Sequence, residues 1–357
     1  MHYERDNIQR MSGYTPGEQP DAGTVIKLNT NENPWPPSPA VMAALANVPA
    51  EALRRYPSPS AAQFLAQAAQ HHHLDPSQLV ATNGGDELLR LAITTFVPPG
   101  QPIGIAEPSY SLYPVLAALH DSPLKAIELD DNWQLPADFA ERMNAAGVKL
   151  TLVVNPHAPS GQLMRAEKIS ALAQALDGVL LVDEAYVDFV DPGHDVVSLI
   201  HKHDNLLILR TLSKGYSLAG LRLGYGIGCA ELITPIAQKT RDSYSVDALA
   251  DALGAAALAD QDTAQQSWQA VRDERTRLTH ALRERGFDVI SSQSNFCLAY
   301  TASQSKQSAA QLYAGLKAQN ILVRHFATPR LHNAIRISVG TPAQTDQLLT
   351  ELDRLLG

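Results

Sequence analysis

Short, continuously apolar runs separated by helical stretches constrain the fold of this chain more than any other feature. Leu79–Thr82, Pro102–Ala106, Leu124–Leu129, Val148–Val154, Gly178–Asp183 and Asn205–Thr211 each read as a strand of a few residues without polar alternation. Strands apolar on both faces must be covered on both faces, which is the pattern of a mostly parallel sheet between helices. The stretches between them supply those helices, one opening at Gly84-Gly-Asp-Glu87, one after Ser109 and one over residues 165–176. After residue 245 the texture changes. Residues 246–285 are rich in Ala, Leu and Arg at helical spacing. The short runs Asp288–Ile290, Phe296–Tyr300, Ile321–Arg324 and Ile335–Val339 then alternate with helical segments, as in a smaller α+β domain.

The expected fold class is therefore α/β, a large domain with a mostly parallel sheet followed by a smaller α+β domain. Residues 1–27 are polar and punctuated by Gly and Pro, so they read as an extended N-terminal arm. The prolines of Leu28-Asn-Thr-Asn-Glu-Asn-Pro-Trp-Pro-Pro-Ser-Pro39 forbid regular helix or central strand. The expected boundaries place 58–245 in the large domain and assign 28–57 and 246–357 to the small one.

Charge and composition act mainly by exclusion. A net charge of -9 repels polyanions, so no nucleic-acid partner is expected, while a few local arginines can still hold a small phosphorylated ligand. No apolar run approaches about 18 residues, so no membrane span is expected. The N-terminus lacks the apolar segment of a secretory signal, which makes the cytoplasm the default location. The two cysteines, Cys229 and Cys297, offer neither a disulfide framework nor zinc-ligand spacing, and are expected as buried thiols with no metal.

In an open α/β sheet, ligands bind beyond the carboxyl ends of the strands. The polar residues of interest fall there: Asn155 after one strand, Asp183 with Tyr186 after another, Ser213 and Lys214 after a third. Pyridoxal phosphate (PLP) chemistry requires this set. A lysine forms an imine with the cofactor aldehyde and later acts as base. A carboxylate keeps the pyridine nitrogen protonated so that the ring accepts carbanion charge. A phenol or amide meets the ring hydroxyl. Hydroxyls, an arginine and a helix N-terminus hold the phosphate. Gly84, Gly85 and Asp86 open a helix, Ser213 and Arg222 offer side chains, and Tyr110 is placed to stack on the ring.

Each residue alone has a plainer reading. A lysine after a strand is usually solvated, an aspartate usually caps a helix, Asn-Pro is a turn, and Tyr110 could be a packed aromatic. The combination at fixed intervals outweighs these readings. Gly224-Tyr-Gly-Ile-Gly228 departs from a dinucleotide fingerprint by one position and reads as strand. His71-His-His73 reads as a solvated helix end, and Arg330 as a surface charge. Arg336 lies in an apolar strand, where an unpaired charge is costly, so an anionic ligand or acidic partner is expected beside it.

Thr211-Leu-Ser-Lys-Gly-Tyr-Ser-Leu-Ala-Gly-Leu-Arg-Leu-Gly-Tyr225, Leu181-Val-Asp-Glu-Ala-Tyr186 and Asn155-Pro-His-Ala-Pro-Ser-Gly161 resemble the signatures of fold-type I PLP-dependent aminotransferases. Their spacing agrees: 28 residues from Asn155 to Asp183, 31 to Lys214 and 8 to Arg222. Tyr14-Thr-Pro-Gly-Glu-Gln-Pro20, Ile26–Pro39, Arg55-Tyr-Pro-Ser58, Gly84–Leu88 and Arg336-Ile-Ser-Val-Gly-Thr341 resemble the histidinol-phosphate aminotransferase family. The resemblance implies a homodimer that moves an amino group from L-histidinol phosphate to 2-oxoglutarate, giving imidazole acetol phosphate and glutamate. It implies Lys214 as Schiff-base lysine and proton shuttle, and Asp183 as partner of the pyridinium nitrogen. Asn155 and Tyr186 are implied at the ring hydroxyl, with Tyr110 on the ring face. Gly85, Asp86, Ser213, Arg222 and the partner's Tyr56 are implied at the cofactor phosphate. Asn33, Arg324, Arg336 and Tyr14, the last from the partner's arm, are implied at the substrate.

Two departures stand out. His157-Ala158 replaces two asparagines of many relatives, and 325–330, between the two substrate arginines, adds a third arginine, Arg330. The alternatives are an aromatic or general amino-acid aminotransferase, a phosphothreonine decarboxylase, and a PLP-binding regulator without catalysis. The last usually carries a basic DNA-binding module, and none is visible in this sequence.

Overall fold

The computed structural model describes residues 3–19, 25–302 and 304–357. Along the chain the strands are β1 (Ile26–Lys27), β2 (Leu79–Thr82), β3 (Ile103–Glu107), β4 (Leu124–Glu128), β5 (Leu150–Val154), β6 (Val179–Asp183), β7 (Leu206–Thr211) and β8 (Gly224–Ile227). They continue with β9 (Asp288–Val289), β10 (Phe296–Tyr300), β11 (Ile321–Leu322), β12 (Arg324–His325) and β13 (Ala334–Ser338).

Seven of them form one sheet in the order β2-β8-β7-β6-β5-β3-β4. The pairs from β7 through β4 are parallel, while β8 runs antiparallel to both of its neighbours. The apolar runs explain this placement: β2, β5 and β8 are buried at every position, and so is β7 except at Arg210. A second sheet, β12-β13-β10-β9, is antiparallel throughout and carries the small domain. β1 of the N-terminal segment pairs with β11, so the arm ends as a strand of that domain.

The domain boundaries differ from those read in the sequence. The helix Ala248–Ala259 packs on both Ala62–His72 of the large domain and Pro39–Ala46, and Val41, Phe64, Leu253 and Leu258 share one core. The sequence reading places 28–57 and 246–357 in the small domain, the latter because the composition changes near residue 246, but composition does not say which neighbour covers a helix. The arm also contains a short helix, Asp6–Arg10, in place of an entirely extended chain. Residues 20–24, which the sequence reading includes in the arm, lie outside the described residues. Cys297 is buried as expected, but Cys229 is only half-buried; both are free.

The helix Gly84–Phe96 sits with its first turn directly on β8. A Cβ at Gly224 would lie 2.7 Å from the Gly84 carbonyl carbon and 2.8 Å from the Gly85 nitrogen. Both obstacles are backbone and cannot rotate away. Gly224→Ala should therefore cost about 3 kcal/mol through overpacking, and urea denaturation should show a clear fall in midpoint. An unchanged midpoint would mean that the helix start is not fixed by this contact.

Candidate active site

A cavity of about 330 Å³ opens beyond the carboxyl ends of β5, β6 and β7, between the large sheet and the small domain. Val154, Asp183 and Thr211 mark the three strand ends, and Lys214 follows β7 into the cavity. The Lys214 ammonium donates to the Thr30 carbonyl at 2.9 Å. Loss of solvent, followed by the nearby Arg336 charge, lowers its pKa to about 8. A lysine so lowered is neutral far more readily than a surface lysine, as a nucleophile or base requires.

Asp183 closes β6 and is 5 % exposed. Its Oδ2 accepts from the Tyr113 hydroxyl at 2.9 Å and its Oδ1 from the Ala185 N–H at 3.1 Å. Burial nevertheless raises its pKa to about 6, because these two hydrogen bonds do not replace full hydration. A cation brought against it would reverse that shift. Tyr186 lies on the same wall, its oxygen accepting from Asn31 Nδ2 at 3.1 Å, which leaves its own proton free to donate into the cavity.

The opposite end of the cavity is built for an anion. The helix Gly84–Phe96 begins there, with Gly85 and Asp86 on the lining. Arg222, in the left-handed region at φ 58°, turns its guanidinium back toward this end. Its Nη1 approaches Ser213 Oγ at 3.5 Å and its Nη2 lies 3.8 Å from Asp86. Tyr110 stands beside it, its hydroxyl 3.4 Å from Asp86 Oδ1. The amine, the buried carboxylate, the exposed ring face and the anion cradle together match the parts of PLP, so the residues present fit that cofactor.

The small domain contributes Arg324 and Arg336. Arg336 Nη2 donates to the Asn29 carbonyl at 3.0 Å, but its buried Nε has no hydrogen-bond partner. Desolvation lowers its pKa. A buried guanidinium with an unmet donor is the expected counterpart of an incoming anion.

Several assignments change in three dimensions. The Asn155 side chain does not line the cavity: its Oδ1 accepts from the Met164 N–H at 2.7 Å and its Nδ2 donates to the Met164 carbonyl at 3.1 Å. It braces the turn behind the wall, and Ala158 faces the cavity instead. Asn33 is also turned away, held by the Gly215 carbonyl and Ser267 Oγ, whereas Asn31 lines the site. Tyr14 of the same chain lines the cavity, with its ring edge-on to Tyr110 at 6.1 Å. Tyr56 lies outside its own cavity, 82 % exposed and stacked on Tyr244.

Tyr113 and Asn31 were missed in the sequence. Tyr113 stands one helical turn after Tyr110, a spacing that could have placed both on one face. Asn29, Asn31 and Asn33 alternate, but the chain bends at Asn29–Thr30 and Asn31 is left-handed at φ 57°, so the alternation of an extended strand does not hold. Nothing local says which of the amides in such a series faces a ligand. Arg330, read as a surface charge, is half-buried against Trp133.

Residues 23–352 match the family model of class I and II aminotransferases. A histidinol-phosphate aminotransferase of Trichormus variabilis is 40% identical over 356 residues, covering 99% of each chain. One of Citrifermentans bemidjiense is 40% identical over 352 residues, covering 98% of each. Among solved structures, the histidinol-phosphate aminotransferase of Sinorhizobium meliloti in complex with pyridoxal-5'-phosphate superimposes with a TM-score of 0.90 at 23% identity, covering 100% of this chain and 98% of the other.

The raised pKa of Asp183 has a thermodynamic sign. Its ordinary value is 3.8 and its folded value about 6, so folding favours proton uptake in that interval. The ionised group costs stability above about pH 6, and the cost vanishes as pH falls below about 4. Asp183→Asn removes it, so the cofactor-free variant should be more stable than the cofactor-free parent at pH 8, by about 3 kcal/mol. The gap should close toward pH 4. Urea melts at both values check this, and a gap independent of pH would contradict a desolvated carboxylate.

Proposed function

The chain belongs to the class I and II aminotransferases, and from that membership we propose that it transfers the amino group of L-histidinol phosphate to 2-oxoglutarate, giving imidazole acetol phosphate and glutamate in histidine biosynthesis. The observation that carries the substrate is the pair Arg324 and Arg336 facing the catalytic lysine, with one buried guanidinium donor unmet. A phosphate supplies acceptors for two arginines, and the carboxylates of the second substrate can use the same groups in turn. Full-length relatives that carry this activity in their names support the same reading.

Bound PLP supplies an aldehyde for the Lys214 amine and a ring that accepts the electron pair released at the substrate's α-carbon. The chain's own residues do the rest. Lys214 Nζ, its pKa lowered to about 8, would take the substrate's α-proton and hold it at the reacting centre. Asp183 presents a desolvated negative charge to the ring nitrogen, held in place by Tyr113 and the Ala185 N–H. Tyr186 donates the hydroxyl proton that Asn31 leaves free. Tyr110 would cover the ring, and Gly85, Asp86, Ser213 and Arg222, which line the same cavity, would hold the phosphate end. Tyr14 edges against Tyr110 and limits access of water to the reacting atoms.

The working form is a cytoplasmic homodimer. Met42, Leu45, Leu53, Tyr56 and Tyr244 leave large apolar side chains exposed on one stretch around the Pro39–Arg54 helices. A second copy seated there would bring Tyr56 of the partner subunit to the phosphate end, which the chain's own Tyr56 does not reach. Mixing Lys214→Ala with Tyr56→Ala subunits should then restore turnover, because one of the two sites in a mixed dimer receives both intact residues. No recovery on mixing would place Tyr56 outside the partner's site.

The substrate is tested by following the cofactor's absorbance on adding histidinol phosphate, phenylalanine or glutamate, and by steady-state turnover with 2-oxoglutarate. Histidinol phosphate should convert the cofactor at the lowest concentration, and Lys214→Ala should abolish turnover. Conversion by phenylalanine alone would move the enzyme to the aromatic branch. Release of carbon dioxide from phosphothreonine without a keto acid would make it a decarboxylase. A spectrum unmoved by any donor would leave a binding protein.

A further inference from the structure

Between β12 and β13 the small domain sends out residues 326–331. Three of its side chains, Phe326, Thr328 and Leu331, line the cavity. Phe326 also lies 5.5 Å from the guanidinium carbons of both Arg324 and Arg336, so its position sets where those cations stand. The segment is therefore part of the surface that meets the substrate.

Arg330 leaves this segment in another direction and crosses to the large domain. Its Nη1 donates to the Leu129 carbonyl at 2.7 Å and its Nη2 to the Asp130 carbonyl at 2.6 Å, just beyond β4. Its Cζ lies 3.9 Å from the centre of the Trp133 ring. At its root, the Arg330 carbonyl accepts from the Tyr300 hydroxyl at 3.1 Å, which ties the residue to β10 of the small domain. A solvated surface arginine would not forgo rotamer freedom for two carbonyls and one ring at once. Only a planar fork can satisfy all three, so lysine is no substitute.

The contact continues inward. Trp133 is buried and lies 5.7 Å, ring to ring, from His157. His157 Nε2 donates to the Pro108 carbonyl at 2.8 Å, while its Nδ1 accepts from Ser160 Oγ at 2.8 Å. Burial, with the Arg330 charge a lesser cause, lowers the His157 pKa to about 4 and keeps the ring neutral, as this pairing requires. Pro108 lines the cavity two residues before Tyr110. His157 and the 326–331 segment thus meet across Trp133.

We propose that Arg330 is a positioning residue for the substrate: with Trp133 and His157 it latches the 326–331 segment to the wall that carries Tyr110, so that the anion-binding arginines and the cofactor face are held at one spacing. The substrate side of this inference rests on the reading of Arg324 and Arg336 as the anion site.

The test uses the holoenzyme and the variants Arg330→Ala, Arg330→Lys, Trp133→Phe and the double variant Arg330→Ala/Trp133→Phe. Arg330→Ala should raise KM for the amino donor about tenfold, and the inhibition constant of inorganic phosphate by a similar factor. The kcat at saturation and the absorbance of bound cofactor should stay near the parent's. Arg330→Lys should not rescue KM, and the double variant should be no worse than Arg330→Ala, because the two side chains act as one unit. An unchanged KM, additive losses in the double variant, or loss of bound cofactor would each overturn the latch. Should Arg330→Ala fail to fold, Arg330→Lys and Trp133→Phe carry the same comparison. If the parent turns over only phenylalanine, the substrate reading falls, and the latch is judged separately on KM for that carboxylate.

Discussion

Three backbone carbonyls and one amide hold the site together. The segment Asn29–Asn31 runs between the domains, mostly buried, and its polar groups must find partners there. Asn29 O takes a proton donor from Arg336 and Thr30 O takes one from Lys214. Asn31 O accepts from Asn295, Asn31 N–H donates to Ser338, and the Asn31 side chain meets Tyr186. The arginine comes from β13, the lysine from beyond β7 and the tyrosine from beyond β6. One irregular segment, bent at Asn29–Thr30 and left-handed at Asn31, therefore sets the relative positions of the groups that three remote parts of the chain deliver.

The electrostatics of the cavity follow from burial rather than from pairing within the protein. The amine of Lys214 is lowered, the carboxyl of Asp183 is raised, and Arg336 keeps an unmet donor. Each departs in the direction that desolvation dictates, and each would be relieved by a ligand of opposite charge or matching hydrogen bonds. On the far face of the sheet the same strands bury charge differently. Glu184, the neighbour of Asp183, takes Arg210 at 2.7 Å, and Tyr225 meets His72 at 2.9 Å. The period of two along a strand sends adjacent carboxylates to opposite faces, one to an open functional site and one to a closed pair.

Legibility in the sequence was uneven in a physically regular way. Lys214, Asp183, Tyr186 and Ser213 were readable because each lies at or just past the end of an apolar strand, and strand ends converge on one edge of a parallel sheet; Arg222, just before β8, was readable through its fixed spacing from Lys214. Asn155 lies at such an end too, yet it faces Met164, because one residue past a strand the chain can turn a side chain either inward or behind the wall. Asn33 failed for a related reason: the left-handed turn at Asn31 breaks any alternation along the segment, so Asn31 meets the cavity while Asn33 is held by the Gly215 carbonyl. Tyr14 was placed on the partner's arm, yet it lines the cavity of its own chain, since an arm has no periodicity that records its destination. His157 and Arg330 were visible only as a departure and a charge until Trp133 came between them.

By itself the sequence determined the layer order, the cofactor chemistry and the residues that strand ends must present, because these depend on hydrophobic period and on local turns. The tertiary structure decided which asparagine faces the ligand, that the helices Pro39–Ala46 and Ala248–Ala259 cover the large domain, and that Arg330 spans the two domains. Those outcomes depend on contacts between residues some 200 positions apart, where the competing partners of a carbonyl, an amide or a guanidinium are set by packing and leave no periodic trace along the chain.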